Sequence, residues 1–361
     1  MIVKIENINH QGLGITRVNG KVTFVENALP GEVIDIILTN EKKNYNLAKI
    51  QKIIRKSSYR IDPICPYFNE CGGCDFCHVD YEIELKYKKE KVENILKKYA
   101  HIDVNIEITP SDKVYNYRNK ITLHKQNEKI GLVKKNSSEV IAIKECKLVD
   151  EKINEILHNK PKEGIIRTNG KKIISKENEN ITINIDKYKF KVNLNSFFQI
   201  NPYTYEKMFN HIKKLISSND VLLDLYSGVG VFSILLSENC KKIYGIEINE
   251  NSYKNTLENK KINNLENITF MLGKVEDNLP KINEKIDTII VDPPRSGLSK
   301  TTIKQIISIN PKKIIYVSCN PMTLARDLNL LNNSYKLECI KAFDMFPRTN
   351  HVECVCELKS C

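Results

Sequence analysis

Three groups of residues in this chain have the types and spacing to do chemistry. The first centres on Cys319, which ends the apolar run IIYVS and precedes Asn320-Pro321. A thiol at a strand end with a helix start just beyond it faces amide donors that favour the thiolate. Proline suits an early helical position. Such a thiolate is a nucleophile for covalent catalysis. A second run, TIIV, delivers Asp292-Pro293-Pro294-Arg295 at another strand end. The second group is Ser227-Gly228-Val229-Gly230 after VLLDLY. Glycines there let the backbone turn tightly and approach a ligand at the carboxyl edge of a sheet. Glu247 ends the next strand, 23 residues after Asp224, where a carboxylate receives ribose hydroxyls. The third glycine of a dinucleotide fingerprint is missing, since Ser233 occupies its place, which disfavours NAD. The third group is Cys65, Cys71, Cys74 and Cys77, spaced C-x5-C-x2-C-x2-C, with Cys146 as a further thiol in IKECKL. Four thiols within 13 residues could hold tetrahedral zinc. The Cys-x2-Cys-x2-Cys run with a distant fourth cysteine also suits an iron–sulfur cluster, and spacing does not separate the two.

These residues need elements to hold them. From about residue 205 the sequence alternates: a helix over 203–217, strand VLLDLY, the glycine turn, a helix, strand KIYGIEI, a helix, strands ITFML and IDTIIVD, a helix, strand IIYVS and a helix over 321–331. That alternation predicts an α/β domain with a doubly wound sheet over 196–361, whose strand carboxyl ends face the ligand crevice. Upstream, the short apolar runs Ile2–Ile5, Val22–Val25 and Val33–Leu38 are broken by Gly12, Gly14, Gly20 and a Pro30-Gly31 turn. This predicts an OB-like β-barrel over 1–56. Residues 57–195 read as a mainly β central domain carrying the cysteine cluster. Its helix over 79–99 could pack on the catalytic domain, and the polar run Lys171–Asn180 reads as a loop.

The stretch GLGITRVNGKVTFVENALPGE resembles a TRAM domain, a small RNA-binding barrel. LDLYSGVG with IEIN resembles the class I S-adenosylmethionine (SAM) methyltransferases. DPPRSGL, YVSCNPMTLARDL and FPRTNHVE together resemble the RNA uracil-5-methyltransferase family, in its 23S rRNA branch, along nearly the whole chain. The resemblance implies Cys319 as nucleophile and Glu353 as general base, with Gln199, Tyr226 and Asp292 beside the SAM implied at Glu247. It also implies a [4Fe–4S] cluster on Cys65, Cys71, Cys74 and Cys146, with zinc as the alternative metal and Cys77 as the alternative fourth thiol. His351 is expected to be structural, and Cys354 and Cys356 to fill their strand. The rival readings are a tRNA T-loop methyltransferase and a non-catalytic RNA-binding iron–sulfur protein.

Composition bounds these readings. The 361 residues carry 56 basic and 44 acidic side chains, a net +12 spread along the chain, so a polyanionic partner such as RNA fits better than a membrane. No stretch reaches the roughly 18 apolar residues of a membrane span, and the start lacks a secretory pattern. Eleven cysteines in a cytoplasmic protein argue for metal binding or catalysis rather than disulfides. The expectation is a cytoplasmic monomer acting on RNA. Tyr115, Tyr117, Arg118, Lys120, His124 and Lys125 form the aromatic and cationic cluster expected to meet it.

Overall fold

The structure is a computed structural model, described over residues 1–159 and 161–361. The N-terminal segment forms a six-stranded sheet in the order Ile2–Lys4, Val33–Glu41, Tyr45–Arg55, Lys21–Val25, Gly14–Val18 and Asn7–Ile8. Alternating side chains such as Ile34, Ile36 and Ala48 fill its interior, as the period of two requires. The long strand Tyr45–Arg55 was not marked by the glycine and proline punctuation that delimits the others.

The largest sheet has eight strands, ordered Ile268–Leu272, Cys240–Glu247, Asp220–Leu225, Thr288–Val291, Lys313–Ser318, Glu353–Ser360, Tyr335–Phe343 and Glu107–Thr109. The first five are parallel. From the central pair Asp220–Leu225 and Thr288–Val291 the strand order runs outward in opposite directions. That reversal is the switch point where open α/β sheets bind ligands. Glu353–Ser360 runs antiparallel between Lys313–Ser318 and Tyr335–Phe343. Its first residue therefore lies on the same edge as the carboxyl ends of the parallel strands.

Apolar side chains cover both faces of this sheet. One face carries Val92, Ile95 and Leu96 of helix Tyr81–Tyr99 together with Ile303, Leu324 and Leu328 of later helices. The other carries Met208, Phe209 and Ile212 of helix Pro202–Leu215. Three pieces of the stretch read as central thus pack on this sheet. Helix Tyr81–Tyr99 and strand Glu107–Thr109 join the sheet's far end. The hairpin Asn180–Ile185/Tyr188–Asn193 buries Ile181, Phe190 and Val192 in the core of the second face. The remainder is a five-stranded sheet around Lys120–Gln126, backed by helix Glu151–His158. The polar run holds a short strand, Ile173–Ile174, paired with Gly164–Thr168. No helix among the described residues is long and apolar enough to cross a membrane.

Candidate active site

The site follows from strand register. Leu225 pairs with both Ile246 and Val291. The next residue along each strand therefore brings Glu247, Tyr226 and Asp292 into one row across the carboxyl edge. Ser318 pairs with Cys354 in the antiparallel ladder, so one step further Cys319 stands opposite Glu353. A thiol and a carboxyl 34 positions apart in sequence become neighbours because two adjacent strands run in opposite directions.

The turn after Leu225 is conformationally demanding. Tyr226, Gly228 and Gly230 all have positive φ, at 64°, 57° and 81°. Only glycine adopts that region freely, so the left-handed tyrosine is held by its surroundings. Glu247 clamps the turn by accepting hydrogen bonds from Gly228 N at 2.8 Å and Asn249 N at 2.6 Å. Asp224, wholly buried one turn back, accepts from Ser233 N at 3.1 Å and Ser233 Oγ at 2.6 Å. The serine that displaced the third fingerprint glycine thus has a use. The second oxygen of Asp224 and the hydroxyl of Ser227 are buried without partners. Unpartnered polar atoms at a strand-to-helix turn suit a polar ligand.

Electrostatically the crevice is a row of reluctant acids. Burial pushes the Asp224 carboxyl up to about 7, and Glu247 adds to it. Desolvation and the neighbouring Asp224 push Asp292 up to about 7. Glu353, buried beside Asp292, is held well above the carboxylate range by burial first and then by Asp292, with Arg295 pulling it back. Carboxyls crowded away from water call for a cation among them, and the sulfonium of SAM is one. Gln199 lies on the connection into helix Pro202–Leu215, its side chain buried at a cavity shared with Phe198, Pro202 and Tyr205. Tyr205 in turn feels Asp292 and Asp224.

Cys319 is half-buried and differs from expectation in its charge. Burial, then Glu353 and Asp292, raise its thiol to about 11, and only Arg295 opposes them. The helix start is present, with Asn320 capping Met322 N at 3.1 Å and Pro321 in the first turn. It does not make the free thiol acidic, because burial and, after it, the two carboxyls hold the thiol up. Arg295 emerges as the cation of the site, a role the DPPR motif contained but composition did not single out. Its carbonyl accepts from Asn320 Nδ2 at 2.9 Å and Thr323 Oγ1 at 3.3 Å. Its Nη2 donates to His351 Nε2 at 3.3 Å. His351 is kept neutral, near 4, by burial and by Arg295. Cys354 and Cys356 are fully buried strand residues. We expect alkylation of Cys319 by iodoacetamide, read by peptide mapping, to be slow at neutral pH and to quicken as pH rises toward about 11. In alkaline buffer Glu353→Gln removes a negative neighbour and should speed it, whereas Arg295→Ala should slow it. Identical rates in all three proteins would contradict this electrostatic picture.

The loop that delivers Glu353 is anchored from two sides. Arg348 adopts a left-handed backbone, φ 67°. Its N–H donates to Glu84 Oε1 at 2.7 Å, and its carbonyl accepts from Asp75 N at 2.9 Å and Phe76 N at 3.0 Å. Glu84 also pairs with Lys88, which reaches Asp344, both at 2.7 Å and all three wholly buried. Asn350 N donates to Asp75 Oδ2 at 2.9 Å, and Asn350 Nδ2 donates to Gln11 O of the barrel at 3.0 Å. Sequence reading missed this network, whose contacts from Arg348 to Glu84 and from Asn350 to Asp75 join residues more than 250 positions apart.

Cys65, Cys71, Cys74, Cys77 and Cys146 line a single cavity of about 500 Å³. Burial raises the thiols of Cys65, Cys71 and Cys146, and in each case nearby cysteines add to it. Cys74 is raised well above the ordinary range, first by its contact with Cys77. Soft donors massed around one cavity, each disfavouring its neighbour's charge, suit a thiolate-ligated metal group, whose cation would reverse those shifts. Among the described residues, no three metal-ligating side chains stand in metal-holding geometry.

The expected RNA-facing cluster is corrected. Tyr117 is buried and donates its hydroxyl to Pro347 O at 3.0 Å. Tyr115 is half-buried with the Arg348 guanidinium 5.0 Å from its ring centre. Arg118 and His124 both line the cysteine cavity, and of the six only His124 and Lys125 are exposed.

A family profile for tRNA (Uracil-5-)-methyltransferases matches residues 161–360, and a TRAM-domain profile matches residues 1–50. The chain is 32% identical to an uncharacterized RNA methyltransferase of Thermotoga maritima over 97% of each protein. It is 30% identical to the 23S rRNA (uracil(1939)-C(5))-methyltransferase RlmD of Legionella pneumophila, over 98% of this chain and 95% of that one. Among solved structures it is similar to the Pyrococcus abyssi tRNA (uracil-54, C5)-methyltransferase in complex with S-adenosyl-L-homocysteine. There the TM-score is 0.79 at 25% identity, covering 99% of this chain and 100% of that one. Fold and crevice are those of a class I SAM-dependent methyltransferase with an N-terminal TRAM domain. More narrowly, the chain belongs to the RNA uracil-5-methyltransferase family.

Proposed function

We propose that the protein methylates carbon 5 of a uridine in 23S rRNA through a covalent adduct on Cys319. The observation that carries the reading is the register that sets Cys319 against Glu353 at the ligand edge of the sheet. Carbon 5 of uracil is too weak a nucleophile to take a methyl group unaided. Addition of the Cys319 thiolate to carbon 6 pushes the ring's electron pair into an enolate, whose carbon 5 becomes nucleophilic. SAM would supply the electrophilic methyl group on its sulfonium, the electrons of the broken S–CH3 bond staying on sulfur to leave S-adenosylhomocysteine. Carbon 5 then carries both a methyl and its original proton. Glu353, as carboxylate, takes that proton, the ring double bond re-forms and the thiolate leaves. Glu247 and the glycine turn would hold the ribose of SAM, with Tyr226, Gln199 and Asp292 around the rest. Arg295 steadies the thiolate form of Cys319 as the target base closes over the site.

Relatives named for 23S rRNA at 30% identity support the ribosomal substrate. The similar solved enzyme named for tRNA supports a second reading in which the T-loop uridine is the target. Labelled SAM offered separately with unmodified 23S rRNA and with tRNA, followed by mass-spectrometric mapping, decides between them. We expect 5-methyluridine in 23S rRNA, and label confined to tRNA would overturn that assignment. Label in neither, with SAM bound, would point to the non-catalytic RNA-binding alternative.

Cys65, Cys71, Cys74 and Cys146 would hold a [4Fe–4S] cluster, which would keep the loop from 65 to 77 in place or position RNA, since methyl transfer needs no electrons from it. Anaerobically purified protein is expected to be brown, with about four irons per chain. A colourless protein with stoichiometric zinc would replace the cluster by a tetrahedral metal.

A further inference from the structure

A cleft between the barrel and the catalytic domain takes no part in the steps above. It has a volume of about 260 Å³ and is walled by His10 of the barrel, by Tyr87, Lys91, Lys98 and Tyr99 of helix Tyr81–Tyr99, and by Met322. Its polar groups are poorly satisfied from within the protein. The Tyr87 hydroxyl is buried without a partner. The Lys91 ammonium makes one hydrogen bond, to the Asn350 carbonyl at 2.7 Å. Burial and the nearby Lys88 bring Lys91 down to about 8, with Asp75 opposing. The fields of Lys91 and Lys98 both reach His10. The acidic side chain on this wall, Glu90, lies 3.8 Å from Lys86. Lys98 Nζ sits 5.1 Å from the ring centre of Tyr99, which is 44% exposed. Cations beside accessible aromatic rings and amides are the equipment for a nucleotide, with the phosphate on the cations and the base on a ring.

The cleft also borders the chemistry. Lys91 holds the carbonyl of the residue before His351, and its charge is felt at Cys354 and His351. Met322 is three positions beyond Cys319. A uridine drawn out of its stack onto Cys319 must leave its neighbours in the chain close by.

We propose that this cleft binds a nucleotide flanking the target uridine, its phosphodiester on Lys91 and Lys98 and its base against the Tyr87–Tyr99 side of the helix. This rests on the reading of RNA as substrate. The test uses a synthetic hairpin bearing the uridine mapped in the methylation assay, with single methylphosphonates replacing successive phosphates on either side of it. With the wild-type enzyme, one or two positions near the target are expected to weaken binding several-fold. The same replacements should cost nothing further in Lys91→Gln or Lys98→Gln. Each variant should also lower the slope of log affinity against log salt by about 1, while SAM affinity stays unchanged. Lys98 is exposed, so its variant keeps the test independent of folding. Equal methylphosphonate penalties in wild type and variants, with methyl transfer intact, would overturn the cleft assignment and leave the catalytic reading standing. Absence of methyl transfer to any RNA would overturn the reading beneath it.

Discussion

A Cys319→Ala enzyme is expected to bind SAM as the wild type does and to transfer no measurable methyl group to RNA. Removing a covalent nucleophile costs roughly 10⁴-fold or more, because no neighbouring group can take over its bond. Cys354 and Cys356 are buried in the adjoining strand and cannot substitute. RNA carrying 5-fluorouridine separates this loss from simple misfolding. The wild-type thiolate adds to carbon 6 and carbon 5 is methylated, but fluorine stands where the departing proton should be. The adduct therefore persists through denaturing electrophoresis. The alanine variant should form none. A stable adduct in that variant, or turnover near the wild-type rate, would remove Cys319 from its role.

Glu353→Gln should fail one step later. Its amide cannot take the carbon 5 proton, so turnover should fall by about 10²- to 10⁴-fold. Thiolate addition and methyl transfer precede that step. The variant should consequently accumulate a protein–RNA adduct on ordinary uridine, as the wild type does on the fluorinated base. Glu353→Asp, which keeps the carboxyl and draws it back by one methylene, should turn over between the two. The wild-type carboxyl lies well above its ordinary range in the free enzyme, owing to burial and to Asp292. Base function requires the ionised form, so turnover should increase with pH and not decline through the neutral range. A Glu353→Gln enzyme that turns over freely, or that forms no adduct while folding and binding SAM, would assign the base elsewhere.

The parts of the site legible in sequence were those whose elements are local. Strand VLLDLY, its glycine turn and Glu247 could be placed because strand, turn and helix follow one another within one stretch of chain. Asp224 was visible as a carboxylate inside an apolar strand, yet its pairing with Ser233 depends on how the turn folds back. The juxtaposition of Cys319 and Glu353 came from family resemblance rather than from pattern. Nothing local says that Glu353–Ser360 inserts antiparallel beside Lys313–Ser318. Tyr117 was misjudged as a stacking platform because an irregular segment leading into a strand does not reveal which of its side chains a distant loop will cover. Here that loop is the one around Pro347. The expected thiolate at Cys319 was corrected for the same kind of reason. The helix start is local, while the burial that raises the thiol and the two carboxyls that add to it come from the tertiary fold and other strands. Arg348, Lys88 and Glu84 were hidden likewise, since a buried ion network reads in sequence as ordinary surface charge.

The most direct test of covalent catalysis at the sheet edge is to locate the adduct itself. Wild-type enzyme trapped on 5-fluorouridine RNA would be digested with protease and nuclease, and the modified peptide sequenced by mass spectrometry. The chain has 11 cysteines, so the answer discriminates. The account predicts one nucleotide-bearing peptide, with the added mass on Cys319. Mass on any other cysteine, or no adduct from an enzyme that methylates uridine normally, would contradict it.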